Sequence, residues 1–586
     1  MKKFNTSNLQ FILIICAMTA SAIFSGALSA QMLILPGIFL AIAAFFGLRK
    51  IGYNMLFITA IIITGVISIF TTFADRQNAV YEFFKMIIFT VAFSAGLSVS
   101  DSDVEKSVIT VAAVTAFCGI LAYCNIIRIN EFIFNDRYFP RLQSVIKYAN
   151  TTAVLLGCGY FACLRNNAKK YTSYIGTCIL LALYLTISKA AIPIFIALET
   201  FLIIAEKQYS VKIIIQNVLT VFFAAAIVLL AKEHRYSIAF LMSALNIAIG
   251  GSIACNNISI KCPIFIWLAV LICGTAAIGI YACIGNTDIF ITLVRRLEYI
   301  KDSLQLLKHN WIAGIGPGGW KYYQYGIQTR GYSVTYLHSG WLQILLEYGI
   351  FGFSAFAAIT IGSVINAIRR KNYILLSAIM LIATHSLIDI DFGFGIIMIL
   401  YGLMLGCTAG AKARRINTGG IIYAVFCTIF ILYMCSEFCV RLGFEKAYLN
   451  GDEKAALKNA YRLEKICPYD SKLKLSIAAL DKDNAKDKIE DAAALSPLDA
   501  NVYLTYINYM ADNKYEINII ELCSQFLNLA PMQESTYTEA YKFLDKALKN
   551  GVCDYDEYLL AKEIVAEQQQ QRNVVSRNDL LNKIIN

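Results

Sequence analysis

The sequence predicts an all-α protein: a polytopic transmembrane helical bundle over residues 1–440 and a helical, repeat-like domain over 441–586. Three observations predict it. The chain is 58% hydrophobic and only 16% charged, with mean hydropathy +0.59, whereas a water-soluble domain is about half apolar and about a quarter charged. Apolar runs of membrane-spanning length recur along the first three quarters. The last quarter changes to a polar texture with helical periodicity.

The apolar runs come first. "LQFILIICAMTASAIFSGAL", "MLFITAIIITGVISIFTTF", "IIIQNVLTVFFAAAIVLLA" and "CPIFIWLAVLICGTAAIGIYAC" (262–283) each approach the ~20 residues that cross a hydrocarbon core as a helix. The first is not a cleavable signal peptide, because another span follows almost at once. About thirteen to fifteen spans are expected. Basic clusters at 2–3, 49–50, 165–170, 369–371 and 411–415 mark cytoplasmic loops. The N-terminus then lies inside. The loops near 75–78, 128–144, 232–237, 285–340 and 389–391 lie outside, and so does the tail if the span count is odd. The net charge of +11 is explained by these loops, so no nucleic-acid partner is implied. Fourteen of the seventeen cysteines precede Leu442, mostly inside apolar runs where cysteine acts as a small hydrophobe. No CxxC pair occurs, and neither a disulfide framework nor a metal site is read.

In the tail, prolines separate successive helical segments in "CPYD", "SPLDA" and "APMQE". Pro468 to Pro497 spans 29 residues and Pro497 to Pro531 spans 34, the latter being the tetratricopeptide period. A short solenoid or a plain helical bundle fits equally well. Either would bind a protein or polymer partner.

The longest non-cytoplasmic connection, 285–340, holds the candidate chemistry. "GIGPGGW" has four glycines in seven residues and reads as a turn where backbone approaches something closely. It is no P-loop, since the Lys-Ser/Thr ending is missing. Arg295 and Arg296 precede it, and Gly316, Gly318 and Gly319 lie within it. His338, one of four histidines, follows at the mouth of the next span. Guanidinium is suited to hold phosphate through a planar fork of donors. Histidine is suited to take a proton near neutral pH. Together they would serve transfer of a sugar from a lipid diphosphate to a hydroxyl, without a metal or other cofactor.

Five stretches in order carry a resemblance: "RLQSVIKYANTTAVLL" (141–156), "LTISKAA" (185–191), "RLEYIKDSLQLLKHNWIAGIGPGGW" (296–320), "HSGWLQILLEYGIFG" (338–352) and "HSLIDIDFGF" (385–394). Together the chain resembles the O-antigen ligase/polymerase family, GT-C-like membrane glycosyltransferases that act on glycans carried by undecaprenyl diphosphate. The resemblance implies a multi-pass cell-membrane enzyme with its site on the extracytoplasmic side. It implies His338 as general base and Arg296 and Arg141 as diphosphate ligands, with Lys189 as a third cation. Two departures stand out. Lys189 replaces the family's arginine and loses the bidentate fork, and Ser339 replaces an asparagine. The donor would be the undecaprenyl-diphosphate-linked glycan. The acceptor stays open between glycan, lipid and protein.

Each residue has a plainer reading. His338 alone would be an interfacial polar residue, and Arg295 and Arg296 would anchor the loop to lipid phosphates. Gln343 and Glu347 continue the helix that His338 opens; Glu347, a carboxylate in an apolar helix, is functional or paired. Asp389 reads as structural or acceptor-facing, with His385 its neighbour. His234 and His309 read as ordinary loop residues. Tyr322, Tyr323 and Tyr325 stack on sugars or belong to an interfacial belt. Two other functions compete: a polysaccharide flippase and a non-catalytic membrane scaffold of the same pathway. The spans show no internal repeat and the polar residues gather at one face rather than at midplane, which speaks against a flippase; a scaffold does not explain arginine, glycine turn and histidine in one loop.

Overall fold

The computed structural model describes residues 6–50, 52, 54–136, 139–165, 170–206, 211–255, 287–409 and 418–577. The apolar run at 262–283, the lysines at 2–3, the cluster at 411–415 and most of that at 165–170 lie outside them. Helices α1 (Thr6–Ile23), α2 (Ile34–Phe45), α3 (Asn54–Thr71), α4 (Arg76–Gly96) and α5 (Asp101–Tyr123) come first. A short ribbon, β1 (Ile133–Asn135) with β2 (Pro140–Leu142), pairs antiparallel with Phe134 opposite Arg141. Then follow α6 (Ala149–Arg165), α7 (Lys170–Leu185), α8 (Ala191–Glu206), α9 (Val211–Lys232) and α10 (Tyr236–Cys255). Next are α11 (Thr287–Asn310), α12 (Trp320–Ile327), α13 (Gly340–Arg369), α14 (Tyr373–His385), α15 (Gly395–Ala409) and α16 (Thr418–Leu449). The tail holds α17 (Glu453–Ile466), α18 (Ser471–Leu480), α19 (Ala485–Leu495), α20 (Ala500–Asp512), α21 (Ile519–Leu529), α22 (Glu534–Asn550) and α23 (Tyr555–Arg577).

The architecture is all-α and polytopic. Among the described residues seven helices are long and apolar enough to cross a membrane: α3, α4, α5, α9, α10, α13 and α16. Shorter apolar helices, α14 and α15 among them, stand beside these. The ribbon has no signal in the apolar pattern, yet it fixes Arg141.

Helix α4 lies at the centre. Its apolar window is 83% buried, against 22% for α3. It packs against α15 at backbone distance. A Cβ on Gly406 would stand 2.1 Å from the Phe93 carbonyl oxygen, and one on Gly402 2.6 Å from that of Phe89. Small residues at a membrane helix crossing allow this approach, because packing rather than water exclusion holds such helices together.

Helix α13 is broken. Gly349 has φ +65 and ψ −175, a conformation open in practice only to glycine. The loop after α11 answers the interruption. Ile315 N–H donates to the Leu346 carbonyl (2.9 Å), Gly316 N–H to that of Glu347 (3.2 Å), and Ile350 N–H to that of Trp311 (2.8 Å). Irregular backbone at membrane depth persists only where protein satisfies it. A Cβ on Gly349 would meet the Ile312 carbonyl oxygen at 2.0 Å. Gly349→Ala is therefore expected to lower the melting temperature in detergent by about a few degrees, from strain of about 1–3 kcal/mol plus the clash. An unchanged thermal unfolding curve would remove this account of the break.

Prolines 468, 497 and 531 each fall between successive tail helices, and Asp470 and Asp499 cap α18 and α20. The tail is tied to the membrane helices where α16 ends. Arg441 Nη2 donates to Tyr81 Oη and to Asp470 Oδ2, both at 2.8 Å, and its Nε pairs with Glu437. A second tie reaches the 328–332 loop. Gln533 Nε2 donates to Gln328 Oε1 and to the Tyr332 carbonyl, each at 2.9 Å.

Candidate active site

His338 stands just before α13, in a segment stitched to the α14–α15 connection. Gly340 N–H donates to the carbonyls of Ser386 (2.7 Å) and Asp389 (3.1 Å). This brings His338 Nδ1 to 3.5 Å from Asp389 Oδ1, a charge contact slightly longer than an ordinary hydrogen bond. The imidazole is 22% exposed, whereas Asp389 is fully buried. Tyr299 of α11 stacks on the His338 ring with centroids 5.9 Å apart, and Tyr332 packs on Tyr299 at 4.5 Å.

Asp389 is the hub. Tyr148 Oη donates to its Oδ1 at 2.7 Å, as does Ile390 N–H at 2.8 Å. Asn150 Nδ2 donates to its Oδ2 at 2.7 Å and Arg296 Nη2 at 3.3 Å. Arg296 Nη1 also donates to the Ile388 carbonyl at 2.5 Å, while its Nε is buried without a partner. Burial pushes the Asp389 carboxyl upward. The His338 contact, the Arg296 guanidinium and His385 outweigh it, so the group sits well below the usual carboxylate range.

Asn150 extends the cluster to Arg141. Its Oδ1 accepts from Arg141 Nη2 (2.8 Å) and from Ser188 Oγ (3.0 Å), and Arg141 Nε donates to the Thr186 carbonyl (3.0 Å). Lys189, next to Ser188, is exposed. Thus His338, Arg296, Asp389 and Arg141, distant in sequence, form one hydrogen-bonded and charge-paired constellation, with Lys189 at its edge. Arg295 acts electrostatically on Tyr299, the ring stacked on His338. It is exposed and also acts electrostatically on Glu298, the partner of Arg330.

His385 neighbours Asp389 closely enough to act on it electrostatically, but its own hydrogen bond goes to Asp391. Its Nδ1 meets Asp391 Oδ2 at 2.5 Å, and Thr151 Oγ1 donates to Asp391 Oδ1 at 2.8 Å, all fully buried. Gln343 and Glu347 do not touch the Asp389 cluster. Gln343 Oε1 accepts from Leu337 N–H (3.0 Å), and its Nε2 donates to Glu347 Oε1 (2.9 Å). The glycine turn serves packing at Gly316, where a Cβ would meet Thr72, and at Gly319, where it would meet the turn's own carbonyls. Gly318 is pressed against Asn78 and Glu82 of α4. Tyr322, Tyr323 and Tyr325 are pegs, bonded to Asp75, the Phe73 amide and Ser333. His234 contacts Tyr236.

Sequence reasoning passed over Tyr148, Asn150, Thr151, Ser188 and Asp391 as functional candidates. The signal for four of them was their place inside the quoted stretches 141–156 and 185–191. Among the described residues no three His, Cys, Asp or Glu side chains are grouped to hold a metal ion.

Residues 174–357 match the family model described as O-antigen ligase. Over this segment the chain is similar to the O-antigen ligase family. The match takes in Lys189, Arg296 and His338 and stops short of Arg141 and Asp389, which the fold adds. No curated protein matches the chain. The match, together with the seven helices long and apolar enough to cross a membrane, supports a multi-pass membrane protein related to O-antigen ligases.

Proposed function

We propose that the protein is an inverting glycosyltransferase that ligates or polymerises glycans carried on undecaprenyl diphosphate, at the extracytoplasmic face of the cell membrane. The observation that carries this is the single constellation of base, carboxylate and two arginines around Asp389. Asp389, ionised, faces Nδ1 of His338 and favours the tautomer with its proton there. Nε2 then holds the lone pair. The acceptor hydroxyl oxygen attacks the anomeric carbon. The bond from that carbon to the diphosphate oxygen breaks, and its electron pair leaves with the undecaprenyl diphosphate. The hydroxyl proton passes to His338 Nε2.

Arg141 and Arg296 stabilise the leaving diphosphate. Each is fixed by hydrogen bonds on part of its fork and keeps further N–H donors for phosphate oxygens. Lys189 adds a point charge. The tail, on the same side, presents its helices to a protein or polymer partner. The acceptor is a second lipid-linked glycan, a lipid core or a protein.

The test is glycan formation in proteoliposomes supplied with the native lipid-linked glycan, wild type beside Arg141→Ala and Arg296→Ala. Long product from wild type, lost in both folded variants, supports the reading; the length distribution separates polymerase from ligase, and the product's anomeric configuration tests inversion. Product at the wild-type rate from both variants returns the scaffold and flippase readings to the front. Lys189→Ala is expected to raise the donor KM about tenfold with a smaller change in kcat, and Lys189→Arg to restore or better the wild-type value. An unchanged donor KM in Lys189→Ala would take this cation out of the site.

A further inference from the structure

A second polar chamber lies on the α4 side of the His338 segment. Its outer part, about 330 Å³, is lined by Asn78, Glu82, Gly318, Lys321, Thr335 and Tyr336, with Leu28 and Met32 as an apolar wall. That volume falls within the small-ligand range. A smaller cavity of about 40 Å³ shares Glu82 and Tyr336 with it as walls and is lined further by Lys85, Gln343 and Glu347. The inner walls include Gly340 and Ile390, which lie two residues after His338 and one after Asp389. The inner cavity is therefore walled by residues next to His338 and Asp389, and Asn150, Ser188 and Arg141 are not among the residues that line it.

The chamber's chemistry differs from that of the arginine cluster. Lys85 Nζ donates to both Glu82 oxygens (2.8 and 2.9 Å) and to Tyr336 Oη (2.6 Å), and Tyr336 Oη donates to Glu82 Oε1 (3.1 Å). These bonds fix Glu82 with its side chain 19% exposed. Its Oε2 retains a lone pair for a further donor. An ion pair inside a membrane helix is costly and marks a functional place. The carboxylate repels a phosphate, and Lys85 and Lys321 repel a cation. A neutral polyhydroxyl ligand satisfies both: its hydroxyls donate to Glu82 and exchange hydrogen bonds with Asn78 and Thr335, while its C–H face packs on Leu28 and Met32. We infer that this chamber, built on Asn78, Glu82, Thr335 and Tyr336, is a saccharide subsite for the acceptor glycan. This rests on the transferase reading, which places the donor's diphosphate at Arg141 and Arg296.

The experiment measures two ligands separately on purified full-length protein in nanodiscs. One is the phosphate-free oligosaccharide released by mild acid from the native lipid-linked glycan, followed by saturation-transfer NMR. The other is undecaprenyl diphosphate, followed by native mass spectrometry. Glu82→Gln, Asn78→Ala and the rim variant Thr335→Val are compared with Arg141→Ala, all checked for wild-type thermal unfolding. Oligosaccharide binding is expected to weaken about tenfold in the first three with the lipid diphosphate bound as in wild type, and the reverse in Arg141→Ala. Oligosaccharide binding that survives in Glu82→Gln, Asn78→Ala and Thr335→Val and is lost in Arg141→Ala would assign the sugar to the donor and overturn the subsite. Wild type that binds oligosaccharide, sensitive to Glu82, without binding undecaprenyl diphosphate would keep the subsite and overturn the transferase reading. If Glu82→Gln fails to fold, Asn78→Ala and Thr335→Val decide, Thr335 being exposed.

Discussion

His338→Ala is expected to lower glycan formation by about two to four orders of magnitude while leaving the protein inserted and folded. The geometry separates these two consequences. The imidazole is held by one long contact to Asp389 and by the Tyr299 ring, and it remains 22% exposed. Its removal opens no deep cavity and breaks no hydrogen bond to a structural partner. Asp389 keeps Tyr148, Asn150, the Ile390 amide and Arg296. The loss therefore falls on proton transfer. The measurement is product formed per folded protein, with thermal unfolding recorded on the same sample. A rate within threefold of wild type would end the assignment of His338 as base.

Asp389→Asn is expected to damage both stability and rate. Two donors, Asn150 Nδ2 and Arg296 Nη2, point at one carboxylate oxygen; Tyr148 Oη and the Ile390 amide point at the other. An amide has one acceptor oxygen, so in either orientation its NH₂ confronts donors. Arg296 also loses its buried counter-charge, and breaking such a pair costs about 3–5 kcal/mol. Activity should fall about a hundredfold or more, since the variant misorients His338 and frees Arg296 together. A variant that melts like wild type would show that Asp389 is not the hub described here. The pH dependence carries the same logic. The folded carboxyl lies below the ordinary carboxylate range, so the stability it contributes is complete above that range and is lost only as the pH falls through its lowered value. Wild-type melting in detergent should not lose this contribution between about pH 7 and pH 5. A step there would have to come from other groups.

The two clusters show how unevenly the site was written into the sequence. His338 stood out because an imidazole is rare at the mouth of an apolar span, and Arg296 because a guanidinium just ahead of a glycine-rich turn suits a phosphate. Arg141 is named from the sequence only through the family resemblance, since no local pattern tells which groups it meets. Those partners, Thr186, Asn150 and, through Asn150, Asp389, come from three other segments. Gln343 and Glu347 were read with His338 because they continue the same helix. Their side chains turn instead to the Leu337 amide and toward the α4 pair Glu82 and Lys85. A helix shares its length with a neighbour, but each face meets a different environment.

The sequence by itself determined the all-α polytopic class, the membrane location of the spans, the turn at 314–320 and the helical tail. All of these follow from local composition, hydropathy and backbone freedom, which a few consecutive residues decide. Only the tertiary structure decided that α13 breaks at Gly349, that His385 belongs to Asp391, and that Asp389 joins His338 to Arg296 and Arg141. Those outcomes depend on which donors and acceptors meet across packed helices. A buried carboxylate takes the partners that folding brings to it, and the sequence around it does not say which they are.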